Sequence, residues 1–446
     1  MSRDDSYIWH PYTRFSAIEA GLPTIVRGEG AYLEDETGER FFDAVSSWWA
    51  CSLGHSHPRI VRAIQQQAEQ LQHSILGNLS HPPAIELAEK LAHLMPTPDR
   101  HVLFASDGAS SVEAALKVAL QYAHQTGRPK RTRFVSLKEA YHGDTLGAVG
   151  VGYLEEFHRL LRPALNQAWR LDIPHCEGCK GATCAAPCFS GVADWLASRQ
   201  DEVAAVIVEP LCLGAAGLIM YGAGYLRELA ATCRALEIPL IVDEIAMGFG
   251  RTGRMFAFEH AGIDPDMVCV GKALTAGYQP MSALIVRNDI YSTFADTPDD
   301  HTFYHGHTWS GNPIAAAAAL ETLSVYAEEN IVEQAAENGA RMLAKLNLLC
   351  ELPAVKSVRG LGLIGVVELE KDTSTPPLPR RVQYELRDRG YLLRPLGSVI
   401  YLMPPLNTPF QDIRNAITAI KESIIVASQD RATFVDAPQN QESKPG

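Results

Sequence analysis

Lys272 closes the apolar run VCVGKAL, and Asp243 and Glu244 close another, LIVDEI. A short strand buried on both faces has little use for charge at its end unless chemistry happens there. In open α/β sheets ligands collect beyond the carboxyl ends of the strands, so an acid and a lysine placed there can face one bound molecule. The pair suits pyridoxal phosphate: an amine to condense with its aldehyde, and a carboxylate to keep the pyridinium nitrogen protonated so that the ring draws electrons. A solvated strand-end lysine with an acid nearby would present the same residues. A third part lies in ASDGASSVEAALK, which runs from the strand-like HVLFA through Asp107-Gly108 into a helical pattern. The N–H groups of Gly108, Ala109 and Ser110 would then point at an anion such as a phosphate. A plain capped helix start reads the same way.

A second cluster competes for attention. CEGCKGATCAAPC places Cys176, Cys179, Cys184 and Cys188 within thirteen residues. Four thiolates are enough for a tetrahedral zinc or an iron–sulfur cluster. The C-x2-C-x4-C-x3-C spacing differs from paired C-x2-C knuckles, and amino-group transfer needs none of these thiols. The reading is therefore a reduced, metal-free accessory loop, with a metal-binding sensor as the alternative.

The whole chain sets the frame for both. At 446 residues it is longer than one core usually supports. With 39 Lys+Arg against 52 Asp+Glu the formal net charge is −13, and no dense basic run is present, so nucleic acid is not an expected partner. The start, MSRDDSYIWHPYTRF, lacks the basic and apolar parts of a signal peptide, and no apolar stretch approaches the roughly 18 residues that span a bilayer. A cytoplasmic protein with no membrane partner is expected, and its nine cysteines are then no disulfide framework.

The elements that must position the candidate residues are legible as periods. HPRIVRAIQQQAEQL puts Pro58 at a helix start with Ile60, Val61, Ile64, Ala68 and Leu71 on one face; SSVEAALKVALQYA does the same with Val112, Leu116, Ala119 and Leu120. VAAVIVEP, IPLIVDEI, DMVCVGKAL and SALIVR read as buried strands alternating with helices, which predicts an α/β fold with a mostly parallel sheet over residues 53–313. Residues 1–52 and 314–430 read as the two parts of one smaller α+β domain, the latter with the strand-rich VRGLGLIGVVEL and SVIYLMPP. Residues 431–446 have the polar composition of a disordered tail.

At this point DEIAMGFGRTGRMFAFEHAGIDPDMVCVGKAL resembles the cofactor-lysine signature of the class III pyridoxal-phosphate aminotransferases. The resemblance runs from about His10 to about Val426 and implies a fold-type I homodimer with active sites at the interface. Within the class, HPYT (10–13), SSWW (46–49), YHGDT (141–145), HGHTWSGNP (305–313) and LRPLGSVIYLMPP (393–405) resemble one branch of biotin biosynthesis. That branch moves the amino group of S-adenosylmethionine to 8-amino-7-oxononanoate. A class III transaminase with another donor, such as lysine, is the nearest rival.

The resemblance assigns roles residue by residue. Lys272 is implied as cofactor tether and general base, Asp243 as the pyridinium partner, and Tyr141 as the ring stacked on the pyridine. Gly108 and Ala109 match the phosphate turn, with Ala109 where other forms carry serine and Ser110 left to offer a hydroxyl. Thr308 matches a residue that reaches the partner subunit's phosphate, and His307 stands beside it where proline is common. Arg394 matches the residue that pairs with the keto-acid carboxylate, a task suited to a guanidinium fork. Tyr12, Trp48 and Gly306 match the substrate pocket, with Tyr401 at its edge; aromatic walls suit both an apolar stem and a sulfonium. Arg251 in GFGRTG reads equally as a structural ion pair or as a catalytic group.

Overall fold

The computed structural model describes residues 7–15, 18, 21–174, 186–295 and 300–429. The chain opens with an antiparallel meander of β1 (Ile25–Glu29), β2 (Tyr32–Asp35) and β3 (Arg40–Asp43). Four strands follow: β4 (Arg100–Ala105), β5 (Arg133–Leu137), β6 (Trp169–Leu171) and β7 (Val203–Val208). A short ribbon, β8 (Cys212–Leu213) with β9 (Ile219–Met220), leads to β10 (Leu240–Asp243), β11 (Met267–Val270) and β12 (Ser282–Arg287). The last strands are β13 (Val355–Leu361), β14 (Ile364–Leu369), β15 (Tyr391–Leu392) and β16 (Val399–Leu402).

Seven strands form the central sheet in the order β4-β12-β11-β10-β7-β5-β6. Neighbours are parallel except where β12 runs antiparallel to β11 and β4. This is the expected α/β architecture with a mostly parallel sheet. Strands β7, β10 and β11 are buried at every residue, which explains why they read as unbroken apolar runs. Because the strands are parallel, the chain after β4, β5, β7, β10 and β11 emerges at one edge, and every central candidate residue lies there. β12 runs the other way and brings its first residue to the same edge, where Ser282 Oγ donates to the Asp107 carbonyl at 2.6 Å.

The Gly108–Gln125 helix packs Val112, Leu116 and Ala119 against Ile207, Ile241 and Leu284 of the sheet. Leu120, expected on that face, is 37 % exposed. In the Pro58–Gln70 helix Ile60 is fully buried, but Ala68 is exposed and Gln67 is buried in its place, its amide donating to the Leu71 carbonyl at 2.9 Å. Both corrections have one cause. At 3.6 residues per turn, eight positions rotate a side chain about 80° past its starting face, whereas seven positions leave it about 20° short.

The two chain ends meet. β15 pairs in parallel with β3 through Tyr391 and Phe42, Met403 N–H donates to Ala44 at 2.8 Å, and Leu406 N–H to Ser52 at 2.7 Å. A separate antiparallel sheet, β13-β14-β16, carries the late strand-rich segment. Among the described residues no helix is long and apolar enough to cross a membrane.

Candidate active site

A cavity of about 490 Å³ opens at the carboxyl edge of the sheet, lined by Trp49, Asp107 to Ala109, Tyr141 to Thr145, Glu209, Asp243, Ile245, Ala246 and Lys272. Each wall comes from a strand end. Lys272 leaves β11 after Gly271 and takes φ +43, a left-handed backbone that non-glycine residues hold only when their surroundings enforce it. Its Nζ lies 5.4 Å from the centre of the Trp49 ring. Burial pushes the amine below the usual lysine range, against the opposing pull of Asp243, Glu209 and Asp144.

Asp243 ends β10 and is 4 % exposed. One carboxylate oxygen accepts the Ile245 N–H at 3.1 Å, and the other lies 2.7 Å from His142 Nδ1. His142 is itself buried, and its Nε2 has no partner among the described residues. Glu209 follows β7 and accepts the N–H groups of Tyr141 and Gly214, both at 2.9 Å. Burial raises its carboxyl to about 7, with the Asp243 charge adding to the rise and His142 and the two N–H groups opposing it.

At the start of the Gly108–Gln125 helix, Asp107 caps the N-terminus. Its carboxylate accepts both the Ser110 N–H at 2.9 Å and the Ser110 hydroxyl at 2.8 Å. Ser110, expected as a third anion donor, directs both of its donors to the Asp107 carboxylate. The N–H groups of Gly108 and Ala109 stay without an acceptor among the described residues, and both residues line the cavity. Close approach shapes this corner. A Cβ at Gly108 would stand 2.9 Å from Ile245 Cδ1, and one at Gly143 would stand 2.5 Å from the Ala109 Cβ. The cavity thus offers an amine at one end, a buried carboxylate at another, and two free N–H groups at a helix N-terminus. Those features fit the aldehyde, ring nitrogen and phosphate of pyridoxal phosphate.

A larger cavity of about 990 Å³ adjoins, lined among others by Tyr12, Phe157, Gly217, Arg359, Arg380 and Arg394. The Tyr12 hydroxyl donates to Asp144, so a wall residue of each cavity is bonded to the other. The Arg394 guanidinium lies 4.9 Å from the Trp48 ring centre and 5.5 Å from that of Tyr12, and donates to the Tyr12 carbonyl at 3.1 Å. It has no carboxylate partner among the described residues. Tyr12 and Trp48 meet edge to face at 5.7 Å.

Other residues singled out from sequence lie away from the two cavities of the single chain. Gly306 and Thr308 are exposed and line neither cavity, while His307 sits 3.4 Å from Ser106 Oγ and also accepts the Trp309 N–H at 3.2 Å. Tyr401 is buried in β16, edge-on to Trp49 at 6.3 Å, rather than at a pocket edge. Arg251 is neither ion-paired, among the described residues, nor at a cavity. It is 3 % exposed and donates to the Pro404 carbonyl at 2.7 Å, the Leu363 carbonyl and Ser46 Oγ, which ties its loop to the carboxy-terminal segment. Burial lowers its pKa to about 10. Cys176, Cys179 and Cys184 lie outside the described residues, and Cys188 is partly buried in the turn Pro187–Phe189. Residues given no role from sequence, His142 and Glu209, line the same cavity as Asp107, which sequence placed only in the turn; His142 had a visible signal only in standing next to Tyr141.

Comparison with known proteins gives this geometry its context. The family model described as Aminotransferase class-III matches residues 17–424. The adenosylmethionine-8-amino-7-oxononanoate aminotransferase of Nitratidesulfovibrio vulgaris is 38% identical over 446 residues, covering 97% of this chain and 82% of that protein. The crystal structure of the enzyme of the same name from Methanocaldococcus jannaschii has a TM-score of 0.89 at 37% identity, covering 95% of this chain and 98% of that one. An amine transaminase from an uncultivated Pseudomonas species, solved in its PLP-bound form, has a TM-score of 0.88 at 32% identity, covering 94% and 99% of the two chains. A lysine and a buried aspartate at one sheet edge, a bare helix N-terminus lining the same cavity, and matches of this extent place the chain in one family: it belongs to the class III aminotransferases.

Proposed function

We propose that the chain transfers the amino group of S-adenosylmethionine to 8-amino-7-oxononanoate, forming 7,8-diaminononanoate in biotin biosynthesis, with pyridoxal phosphate as cofactor. The names of two similar relatives support this choice within the class. The observation that carries it is Arg394, a guanidinium without a carboxylate partner among the described residues, which lines the larger cavity with Tyr12 and also lies against the Trp48 ring, itself outside that lining. That site matches a long apolar acid with a terminal carboxylate, and its aromatic walls also match a sulfonium donor.

Pyridoxal phosphate supplies, when bound, the electron sink that lets an amino-bearing carbon give up a proton. In this reading Lys272 Nζ would tether the cofactor and would also serve as the base that takes up and returns the proton of the amino-bearing carbon. Its depressed pKa favours the neutral, basic amine. Asp243, oriented by His142 and the Ile245 N–H, would hold a proton at the ring nitrogen. The Gly108 and Ala109 N–H groups would bind the phosphate, and Tyr141, on the cavity wall, would lie against the ring.

The same reading makes the protein a cytoplasmic homodimer, in which Gly306, His307 and Thr308 serve the partner's site. Exposure of Ile75, Leu79, Tyr304 and Trp309 on a single chain supports such pairing. Residues 53–313 would form the cofactor-binding domain, with 1–52 and 314–430 combining as the smaller one. The deciding experiment supplies purified holoenzyme with 8-amino-7-oxononanoate and either S-adenosylmethionine or lysine. Diaminononanoate is expected with S-adenosylmethionine; product with lysine alone overturns the donor, and product with neither overturns the biotin reading.

A further inference from the structure

Ser46, Ser47, Trp48 and Trp49 take φ values of +50, +44, +71 and +70, four consecutive left-handed residues without a glycine among them. L-residues do not hold such a turn by their own preference, so contacts from outside must enforce it. The principal contact is Asp43, at the end of β3 and 2 % exposed. Its Oδ2 accepts the Ser47 hydroxyl at 2.7 Å and lies 2.9 Å from His55 Nε2; its Oδ1 accepts the Val45 N–H at 3.3 Å. The Ser46 hydroxyl adds a second anchor, donating to the Met403 carbonyl at 2.7 Å.

The turn decides where two tryptophans go. Trp49 is buried behind Lys272, whereas Trp48 stays 46 % exposed, with the Arg394 guanidinium 4.9 Å from its ring centre. A regular helix or an extended segment here would swing the Trp48 ring away from Arg394. We propose that Asp43 is a positioning residue for substrate recognition: it clamps the left-handed turn and thereby holds Trp48 against the guanidinium that takes the carboxylate. The proposal rests on the assignment of Arg394 to that carboxylate.

The test is a double-mutant cycle on the holoenzyme, with Asp43→Asn, Trp48→Ala and the double variant. Asp43→Asn is expected to raise the KM for 8-amino-7-oxononanoate about tenfold, with kcat and the visible cofactor spectrum little changed. In the Trp48→Ala background the same substitution should add nothing; an additive effect, or an unchanged KM, overturns the proposal. Ser47→Ala removes one arm of the clamp from an exposed residue and should show a smaller effect of the same kind, so the cycle can be run on it if Asp43→Asn does not fold. A readout independent of turnover is acrylamide quenching of the fluorescence that Trp48→Phe removes. That component should become about twofold more quenchable in Asp43→Asn and Ser47→Ala. An unchanged component overturns the proposal even where the substrate reading has failed, and absence of product from the unaltered enzyme overturns the substrate reading alone.

Discussion

A lysine amine serves this chemistry only in its neutral form, and Lys272 is placed so that burial favours that form while three carboxylates oppose it. The balance is measurable in the apoenzyme as the pH dependence of pyridoxal phosphate uptake. The acid limb is expected below the usual lysine value of about 10.4. Glu209→Gln removes one of the opposing charges, so the limb should move to still lower pH; a limb that stays in place would remove Glu209 from the electrostatics of the amine. Lys272→Ala should abolish both turnover and the lasting visible absorbance of the bound cofactor. Lys272 and Asp243 were readable from sequence because a buried apolar run that ends in charge is anomalous within a few residues. His142 and Glu209 were not, since their bonds to Asp243 and to Tyr141 span 101 and 68 residues and exist only because the sheet order brings those strand ends together.

Between strand and helix, glycine does the shaping, and its two positions differ in what a methyl group would meet. At Gly143 an added Cβ stands 2.5 Å from the Ala109 Cβ and 2.9 Å from its Cα, with a backbone φ of +124, so neither relaxation nor a comfortable backbone is available. At Gly108 it meets the Ile245 side chain, Cδ1 at 2.9 Å and Cγ2 at 3.0 Å, but no backbone atom, and the backbone is not left-handed. Gly143→Ala should therefore destabilise the fold by about 1–3 kcal/mol and weaken pyridoxal phosphate binding, while Gly108→Ala should cost less in stability. Chemical denaturation and cofactor titration check the order; equal effects would mean that the YHGDT loop yields more easily than its contacts imply. Helix and strand identity came through from sequence because periodicity is local. The packed face did not come through in full: Ala68 and Leu120 continue an apolar pattern that the helix rotates off the core, and Gln67 takes a buried position by bonding a carbonyl that no pattern announces.

On the scale of the molecule, the amino-terminal meander is joined to the rest by the pairing of β3 with β15 and by the Asp43–His55 pair, whose carboxylate is 2 % exposed. His55 exchanges two backbone hydrogen bonds with Gly30 at 2.7 and 3.0 Å, while its Nε2 meets Asp43, so the pair ties the β1-β2-β3 unit to the segment that carries SSWW. Burial alone would lower the His55 pKa, but Asp43 and the neighbouring Cys51 outweigh it and raise it to about 9 from the ordinary 6.5. The carboxyl of Asp43 is held below its ordinary 3.8: burial pushes it up, and the bonds from His55 and Ser47 more than reverse that. The signs then fix a window. Stability from the raised histidine is full below about pH 6.5 and is lost as pH rises through about 9; stability from the depressed aspartate is present above about pH 4 and is lost as pH falls through its folded value. The pair therefore contributes most between about pH 4 and 6.5. Other buried groups titrate between about pH 6 and 9, Glu209 near 7 and Glu244 near 8 among them, so the meaningful quantity is a difference. The denaturation midpoint of the holoenzyme minus that of His55→Gln should be largest near pH 6 and shrink steadily toward pH 9. A difference that stays constant across that range would show that the His55 pKa is not shifted on folding, and that the charge pair adds nothing to the clamp on the left-handed turn.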